Sequence, residues 1–464
     1  MTLPNKTTFE RIHYIYSRDN KTFLTLRKQK FADATAEEIW AAISKSKTYG
    51  SSEVSVRDLG DWLSFETTNG KTIVGVITEN FSPSHFDLWF ISTVLKNSII
   101  AHHGSTDPDQ GLIYAEAITE VFESTLRNVA RTDRWSEGKD NFIKNVHFFT
   151  SRNAPILSVL PAFPCKSPNE DKVASCLPDK GEELALRRII DFVSTIQKIY
   201  PPGMKFYLVS DGHVFSDCIH VDDEMVDLYF MKLEAIYQEI KPPGFDGIVF
   251  RGLNDCFESD QRSIVAELLN TVEVDHHIPT QLDVETELNR KVLMLGCDDN
   301  ADLLRKQIMT PNHPRLYLYR GFNKFMCEDL SKTAFAKSIS RKKYKKLVSQ
   351  VAFEMIRRND AYSNLVELIF PFHLRFSIHA HHNAGPKYGV RLLDPEICTM
   401  SGHDQNEEDR LLHIPTPWHN SVFKMVESNK YIISPSKLAK ELEGNPKIKG
   451  GWDADEKLFL YREV

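Results

Sequence analysis

The sequence has no paired cysteines. Its seven cysteines are scattered along 464 residues without a CxxC pair, which argues against a disulfide framework or a zinc knuckle and is typical of a reducing compartment. The sequence also has no apolar run of 18 residues, and no apolar core of a secretory signal lies near the N-terminus. We therefore expect a cytoplasmic protein without a membrane span.

The chain also lacks a net positive charge, and glycine-rich loops are scarce. The net charge is −7, which argues against nucleic acid as a partner. The polar segment SDGHVFSD (210–217) follows a β-prone segment, where a phosphate-binding loop could lie, but it has a single glycine. The GxGxxG and GxxxxGK fingerprints need more glycines, so a nucleotide cofactor is unsupported and we expect none.

Hydrophobic periodicity indicates an α/β fold. Residues 182–199 and 222–240 place apolar side chains on one helical face, and the short apolar segments 204–209 and 245–250 follow them as strands. Helices that alternate with buried strands are typical of a mainly parallel sheet covered on both faces.

The first ~150 residues have a different pattern. Two alternating segments within 61–77 flank Thr68-Asn69-Gly70-Lys71, a strong hairpin signal, and residues 112–130 have helical spacing. We therefore predict three parts: an N-terminal α+β extension over 1–149, a main domain over 150–425 and a C-terminal extension over 426–464.

The last third mixes helices and short strands. We expect helices over 258–310 and 331–359, and a strand RLYLY (315–319). Two further strands are predicted over 373–383 and 387–393.

The segment SDGHVFSD lies where ligands bind in open parallel sheets, beyond the carboxyl end of a strand. Asp211 and Asp217 could take or give protons there. The alternative is that Asp211 and Ser216 only cap the turn.

The histidine spacing argues against a metal site. In His379-Ala-His381-His382, a strand would point residues 379 and 381 to one side and 382 to the other, and no HExxH motif is present. We therefore expect no metal.

Cations recur on the β-prone segments of the last third. Arg375, Ser377 and His379 share one predicted strand face, and Lys387 and Arg391 lie on the next strand. If these strand ends converge, they form a pocket for an anionic small molecule. The alternative is that each is a separate surface charge.

Several motifs occur together in a fixed order: FPCKSPN (163–169), LPDKGEELALRR (177–188), YPPG (200–203), SDGHVFSD (210–217), RGFNKFMCEDL (320–330), LRFSIHAH (374–381), KYGVRLL (387–393) and TPWHN (416–420). As a set they resemble the pyoverdine/dityrosine biosynthesis family, whose characterised members are isonitrile synthases. The resemblance covers residues 150–425, and the first ~150 residues carry no matching motif.

The resemblance implies a modified Rossmann-like sheet with added helices and a cofactor-independent enzyme. Such an enzyme condenses the α-amine of an amino acid, here tyrosine or another aromatic or bulky apolar one, with the C2 carbonyl of ribulose 5-phosphate. A downstream oxygenase or cytochrome P450 is an expected pathway partner. Two alternatives stay open: an enzyme that makes N-formyl-tyrosine for spore-wall dityrosine, and an inactive relative that acts as a binding or scaffold subunit. A nucleotide-dependent methyltransferase is disfavoured by the missing glycine fingerprint.

The matched motifs also imply roles for individual residues. Catalytic roles are expected for Asp211, Asp217, His213, His379 and His419. Substrate-binding roles are expected for Lys166, Ser167, Asn169, Ser216, Arg320, Lys324, Arg375, Ser377, Lys387, Arg391 and Trp418.

We expect the cations to converge near SDGHVFSD. In this arrangement Arg375, Lys387 and Arg391 meet Arg320 or Lys324, and together they hold the sugar phosphate and the substrate carboxylate. The carboxylates of the SDGHVFSD segment would then face the reacting carbons.

Overall fold

A computed structural model gives the fold. It describes residues 107–129, 133–257, 266–295, 301–370, 373–379, 382–400 and 415–464, together with the backbone of six strands before residue 107.

The six early strands form one sheet in the order β2-β1-β6-β5-β4-β3. Their bounds are β1 His13–Ser17, β2 Arg27–Lys28, β3 Lys45–Tyr49, β4 Ser52–Asp58, β5 Trp62–Thr67 and β6 Ile73–Ile77. Strands β5 and β6 pair antiparallel, with Glu66 opposite Ile73, which confirms the predicted hairpin. The turn residues 68–71 between them lie outside the described part of the chain.

The centre of the molecule is a five-stranded sheet in the order β11-β10-β7-β8-β9, and all of its pairings are parallel. Its strands are β7 Ile156–Pro161, β8 Met204–Val209, β9 Ile248–Arg251, β10 Leu374–Ser377 and β11 Lys387–Gly389. They are short and largely apolar, as expected for strands that helices cover on both faces. The predicted α/β class with a mainly parallel sheet is therefore confirmed, as is the strand at 204–209. The strand predicted at 245–250 is present but begins later, at Ile248.

Local sequence explains where the main helices begin. Asp179 caps the helix α3 through the Gly181 N–H at 2.8 Å, and Glu182 returns a bond to the Asp179 N–H, which completes a capping box. Ser340 caps the 29-residue helix α11, Arg341–Ile369, which begins inside the region predicted to be helical at 331–359. The helices before residue 300 are α1 Pro108–Thr125, α2 Trp135–Thr150, α3 Lys180–Ile199, α4 Gly212–Phe215, α5 Asp223–Ile240, α6 Ala266–Leu269 and α7 Val284–Leu295. Those after it are α8 Ala301–Met309, α9 Pro314–Asp329, α10 Ala334–Ser338, α11 Arg341–Ile369 and α12 Ser436–Leu442.

The predicted strand at 315–319 is wrong, because these residues belong to α9. Pro314 stands at the first helical position and His313 caps the helix, both of which favour a helix start. Short apolar runs do not distinguish a strand from a buried helix, which explains the error. Residues 258–265 and 296–300 of the predicted helical region lie outside the described residues.

A second five-stranded sheet follows in the order β12-β14-β13-β16-β15. Its strands are β12 Cys398–Met400, β13 Ser421–Met425, β14 Tyr431–Ser434, β15 Ile448–Asp453 and β16 Leu458–Glu463. Val422, Ile433 and Leu458 of this sheet are buried in the same hydrophobic core as the central sheet, and so are Ile118 of α1 and Phe142 of α2. The predicted division at residues 149 and 425 stays a prediction, but a single core crosses both positions. Among the described helices, none combines the length and the apolar character that crossing a membrane requires.

Candidate functional site

A cavity of about 360 Å³ lies beyond the ends of β7, β8 and β10. This is the edge at which parallel α/β sheets bind ligands. Its polar side chains include Asp211, Ser363, Arg375, Ser377, His379, Lys387, Thr416 and His419. Its apolar side chains include Phe215, Ile219, Leu318, Phe322, Phe325, Met355 and Trp418.

The strands supply a cationic wall. Arg375 and Lys387 are partners in the parallel β10–β11 register, so neighbouring strands present both cations to one cavity. The Lys387 ammonium donates to Ser363 Oγ at 3.1 Å, and the His379 N–H donates to Ser377 Oγ at 3.0 Å. This arrangement suits an anionic group, because guanidinium and ammonium groups form charge-assisted bonds to phosphate and carboxylate.

Asp211 places one buried carboxyl group in the same cavity. Burial raises the pKa of Asp211 to about 6, and the nearby Arg375 works in the opposite direction. Within the described part of the chain, its Oδ1 has no hydrogen-bond partner. The turn beside it needs Gly212, because a Cβ there would lie 2.2 Å from the Pro164 carbonyl oxygen. Asp211 is therefore a buried group that can exchange a proton near neutral pH.

Helix α9 supplies an apolar wall. Leu318, Phe322 and Phe325 recur at helical spacing, so one face of the helix borders the cavity. Phe215 and Ile219 extend this wall from the segment after β8. A cavity with one cationic wall and one apolar wall suits ligands that carry both an anionic group and a bulky apolar group.

The predicted residues Trp418 and His419 reach the cavity on a short turn that a buried lysine anchors. Lys166 does not line the cavity. Its ammonium lies 2.8 Å from Asp179 Oδ2, 2.9 Å from Glu182 Oε2 and 2.8 Å from the Pro417 carbonyl oxygen. The expected substrate contact of Lys166 is therefore corrected to an internal ion pair that fixes the turn carrying Trp418 and His419.

Asp217 also lies away from the cavity. Both its oxygens bond Arg358 (Nη2 to Oδ2, 2.8 Å), and its Oδ2 lies 2.7 Å from His276 Nδ1. Burial works against ionisation, but the bonds from His276 and Arg358 outweigh it and hold the pKa of Asp217 well below its usual range. A carboxylate held in this way is a poor proton carrier, so the structure contradicts the expected placement of Asp217 over the reacting carbons.

His276 makes the stability of this cluster depend on pH. Its bonds to Asp217 and Glu287 raise the pKa of His276 to about 9. A raised histidine pKa adds stability that is fully present below about pH 6.5 and is lost as pH rises through about 9. We expect the unfolding midpoint of the wild type to fall between pH 7 and 10, and His276→Gln to reduce that fall, as measured by thermal melts across this range. An unchanged pH slope in the variant would contradict the assignment.

His213 and Ser216 are likewise structural in this fold. A buried arginine, Arg290, donates to the His213 carbonyl oxygen at 2.7 Å and to Ser216 Oγ at 2.8 Å, and it also pairs with Asp223. The His213 ring faces Asp227, with Nε2 3.2 Å from Oδ1. Neither residue lines the cavity, so their expected roles in the reaction are corrected to holding the segment 211–219.

Three of the predicted cations do not converge on the cavity. Arg320 is exposed on α9, and Lys324 on the same helix is not among the cavity residues, since the face at 318, 322 and 325 borders the cavity. Arg391 lies beyond β11 and donates through Nε to the Leu393 carbonyl oxygen at 3.2 Å. The placement expected for these cations was wrong because it rested on 315–319 being a strand and on β11 extending to 393.

Two predicted residues of the 165–169 loop stabilise the loop and attach it to α9. Ser167 Oγ accepts from the Asn169 N–H at 3.2 Å. The Asn169 side-chain amide donates to the Glu328 carbonyl oxygen at 2.8 Å. Neither residue lines the cavity.

Sequence reasoning missed the contribution of α11. Met355, Asn359, Tyr362 and Ser363 lie on the cavity side of this helix. Their spacing of four, three and one residues already indicates one helical face in the sequence. No local sequence feature, however, distinguishes a face that lines a cavity from one that packs in the core. The buried cations Arg290 and Arg358 were missed for the same reason. Among the described side chains, no group of three or more histidine, cysteine, aspartate or glutamate residues could hold a metal ion, and His381 lies outside that set.

The parallel sheet and the lined cavity define an α/β protein with a cavity beyond its strand ends. Residues 146–444 match the family described as pyoverdine/dityrosine biosynthesis protein, and the chain belongs to this family.

Named relatives include both spore-wall and isonitrile proteins. The chain is 47% identical over 390 residues to spore wall maturation protein DIT1 of Saccharomyces cerevisiae, covering 82% of this chain and 73% of that protein. It is 28% identical over 315 residues to an L-tyrosine isonitrile synthase of Xenorhabdus nematophila, covering 68% and 81%. It is 29% identical over 279 residues to L-tryptophan isonitrile synthase AmbI2 of Fischerella ambigua, covering 60% and 71%.

A solved structure supports the same fold. The crystal structure of PvcA from Pseudomonas aeruginosa aligns with a TM-score of 0.58 at 22% identity, covering 76% of this chain and 100% of that chain.

Proposed function

We propose that this chain is an isonitrile synthase that joins the α-amine of an aromatic or bulky apolar amino acid to ribulose 5-phosphate. The observation that carries the proposal is the pairing of two unlike walls around one buried carboxyl group. Arg375 and Lys387 form the cationic wall, the α9 face forms the apolar wall, and Asp211 is the carboxyl group. The isonitrile synthases among the relatives support this chemistry.

The phosphate of one substrate suits the cationic wall, and the apolar side chain of the other suits the apolar wall. A sugar phosphate that enters a cleft exchanges its hydration for charge-assisted bonds, which Arg375 and Lys387 provide. The side chain of the amino acid packs against Phe322 and Phe325, where the burial of apolar area stabilises the complex. Asp211 is kept away from the phosphate by like-charge repulsion and faces the reacting amine and carbons.

The first step needs only proton transfer. The amine nitrogen attacks the C2 carbonyl carbon, a C=N bond forms, and the carbonyl oxygen leaves as water after it has taken up two protons. The attacking ammonium must lose a proton first, and a carboxylate or an imidazole within reach can accept it. Asp211, His379 and His419 are the cavity groups of these types.

The direct test is incubation of the purified chain with pooled amino acids and C2-labelled ribulose 5-phosphate. Label in an isonitrile carbon attached to one amino acid would establish the reaction and the substrate together. A chain that neither transfers the label nor is thermally stabilised by ribulose 5-phosphate would refute the proposal.

A second candidate product is the N-formyl amino acid. The observation that favours it is the 47% identity to a spore wall maturation protein. Addition of water to an isonitrile gives a formamide with no other reactant, so the same cavity chemistry could lead to either product. The labelled carbon distinguishes them, since it would appear in a formyl group instead of an isonitrile, and N-formyl-tyrosine would be the expected species.

Replacing Arg375 by methionine should raise the KM for ribulose 5-phosphate by roughly 10–100-fold, because a lost charge-assisted bond is worth roughly 1.5–3 kcal/mol and each 1.4 kcal/mol is tenfold. Steady-state kinetics with the sugar phosphate as the varied substrate measures this. Arg391→Met is the matched control, because it removes the same charge outside the cavity, and we expect its KM to stay within about threefold of wild type. Equal KM changes in the two variants would refute the cationic wall.

A further inference from the structure

A buried carboxylate lies directly behind His419. Asp329, the last residue of α9, is fully buried, and its Oδ2 is 3.8 Å from His419 Nδ1. Among the described residues, this oxygen has no hydrogen-bond partner. The other oxygen, Oδ1, accepts from the Lys172 ammonium at 2.6 Å. The lysine therefore satisfies one carboxylate oxygen, the Ser167 hydroxyl is a further neighbour of the carboxylate, and Oδ2 faces the histidine.

The surroundings hold the His419 ring in this orientation. The Phe325 ring packs edge-on against it, with ring centroids 4.8 Å apart, and the backbone N–H of His419 donates to the Thr416 carbonyl oxygen at 3.2 Å, which fixes the turn that carries the ring. Lys172 lies above the same Phe325 ring at 5.2 Å. His419 also lines the cavity, and a proton on the Nδ1 that faces Asp329 makes Nε2 the ring nitrogen able to accept one.

We infer that Asp329 is a positioning residue which accepts a hydrogen bond from His419 Nδ1–H and so keeps a proton-accepting Nε2 in the cavity. A carboxylate that binds one ring nitrogen fixes the tautomer and orientation of a histidine, and it stabilises the imidazolium that forms when the other nitrogen takes a proton. The separation of 3.8 Å is longer than a hydrogen bond, and such contacts commonly tighten once substrate is bound. Asp329 itself does not touch the cavity, so it acts through His419.

Lys172 affects the protonation state of the Asp329 carboxyl group that faces the histidine. Burial raises the pKa of Asp329, and the Lys172 ammonium and the neighbouring Ser167 hydroxyl work against that rise. With the ammonium at 2.6 Å, the carboxylate is the form that makes a strong bond, and the Lys172–Asp329 pair as a whole carries no net charge. The carboxylate can therefore accept the Nδ1–H of His419 and stabilise the imidazolium that forms when Nε2 takes a proton.

The kinetic test rests on the proposed function and uses Asp329→Asn. The asparagine oxygen can keep the bond from Lys172, but its amide N–H₂ then faces Nδ1 and forces the ring proton onto Nε2. We expect kcat to fall about 10–100-fold with the KM of both substrates nearly unchanged. This is the lower part of the range for general acid–base catalysis, because Asp211 and His379 remain in the cavity.

Glu328→Gln is the matched control. Glu328 is the adjacent residue and also contacts Lys172, at 3.3 Å, but its carboxylate is partly exposed, and its ion pair is with Lys172 rather than His419. We expect its kcat to stay within about twofold of wild type, as for other surface substitutions.

Two further variants separate positioning from general support of the fold. If Asp329 acts through His419, then Asp329→Asn in a His419→Gln background should cause no additional loss of kcat. A loss of equal size in both backgrounds, or a kcat of Asp329→Asn equal to that of wild type, would overturn the inference.

A spectroscopic measurement on the wild-type chain needs neither turnover nor a stable variant. Nitrogen NMR of the histidine side chains, with the His419 signal identified by its loss in His419→Gln, should show the Nδ1–H tautomer. The Nε2–H tautomer would overturn the inference, whether or not Asp329→Asn folds. If the wild-type chain forms no product but shows the Nδ1–H tautomer, the proposed reaction fails while the histidine–carboxylate pair stands.

Discussion

Asp211→Asn should lower kcat by roughly 10²–10⁴-fold, the range associated with a lost general acid or base. The carboxyl group is buried in the cavity, its Oδ1 has no hydrogen-bond partner among the described residues, and asparagine has nearly the same shape. The amide cannot exchange a proton, so turnover falls, while the cationic wall that we propose binds the sugar phosphate is retained. Single-turnover kinetics at saturating substrate measures the effect.

The pH dependence of the same group has a defined sign. Since burial raises the pKa of Asp211 to about 6, the proton-accepting carboxylate dominates above pH 6 and disappears as pH falls through it. The kcat of the wild type should therefore decline on the acidic side of about pH 6, and Asp211→Asn should remove that limb. A variant that keeps both the wild-type kcat and the acidic limb would exclude Asp211 as the proton carrier.

Removing this buried carboxyl should also increase stability. Its pKa is raised from 3.8 to about 6, so at pH 7 the folded state bears an ionised group that it disfavours. A rise of this size in the pKa corresponds to roughly 2–3 kcal/mol, which Asp211→Asn should recover in part in denaturant unfolding at pH 7. Lower activity together with higher stability is the expected signature of a group placed for chemistry.

Arg358→Met should destabilise the chain by roughly 3–5 kcal/mol, because it leaves a buried carboxylate without its arginine. Arg358 binds both oxygens of Asp217, and it also donates to the carbonyl oxygens of Val214 and Asp275 at 2.9 and 3.0 Å. Equilibrium unfolding in denaturant measures the change. Because the Val214 bond holds the segment that carries Phe215 and Ile219 into the cavity, activity should fall as well.

A surface ion pair provides the control for Arg358. Arg305 lies 2.8 Å from Asp302 on α8, and both side chains are largely exposed. Arg305→Met should cost no more than about 1 kcal/mol. The double variant Arg358→Met with Asp217→Leu should lose less stability than Arg358→Met alone, since no unpaired charge remains. If Arg305→Met and Arg358→Met unfold at the same denaturant concentration, the buried Arg358–Asp217 pair does not stabilise the fold as predicted.

Some parts of the candidate site were predictable from the sequence. Arg375, Ser377 and His379 were placed on one cavity face from the period of a strand, and Asp211 from its position after a buried strand. All four side chains line the cavity, because these inferences depended on residues within a few positions of one another. His379, however, lies in the turn after β10 and not on the strand itself.

The sequence by itself determined the alternation of helices and strands, because apolar periodicity and helix caps are local properties. Strand β8 at Met204–Val209 and the capping box of α3 both depend on residues that are close together in the sequence. Tertiary structure decided the rest. Asp217 pairs with an arginine 141 positions away, and one face of α9 meets the cavity while Arg320 on another face meets solvent. Whether a charged residue forms a structural ion pair or faces a ligand depends on which side chain packs beside it. That neighbour is distant in the sequence, so local sequence patterns do not identify it.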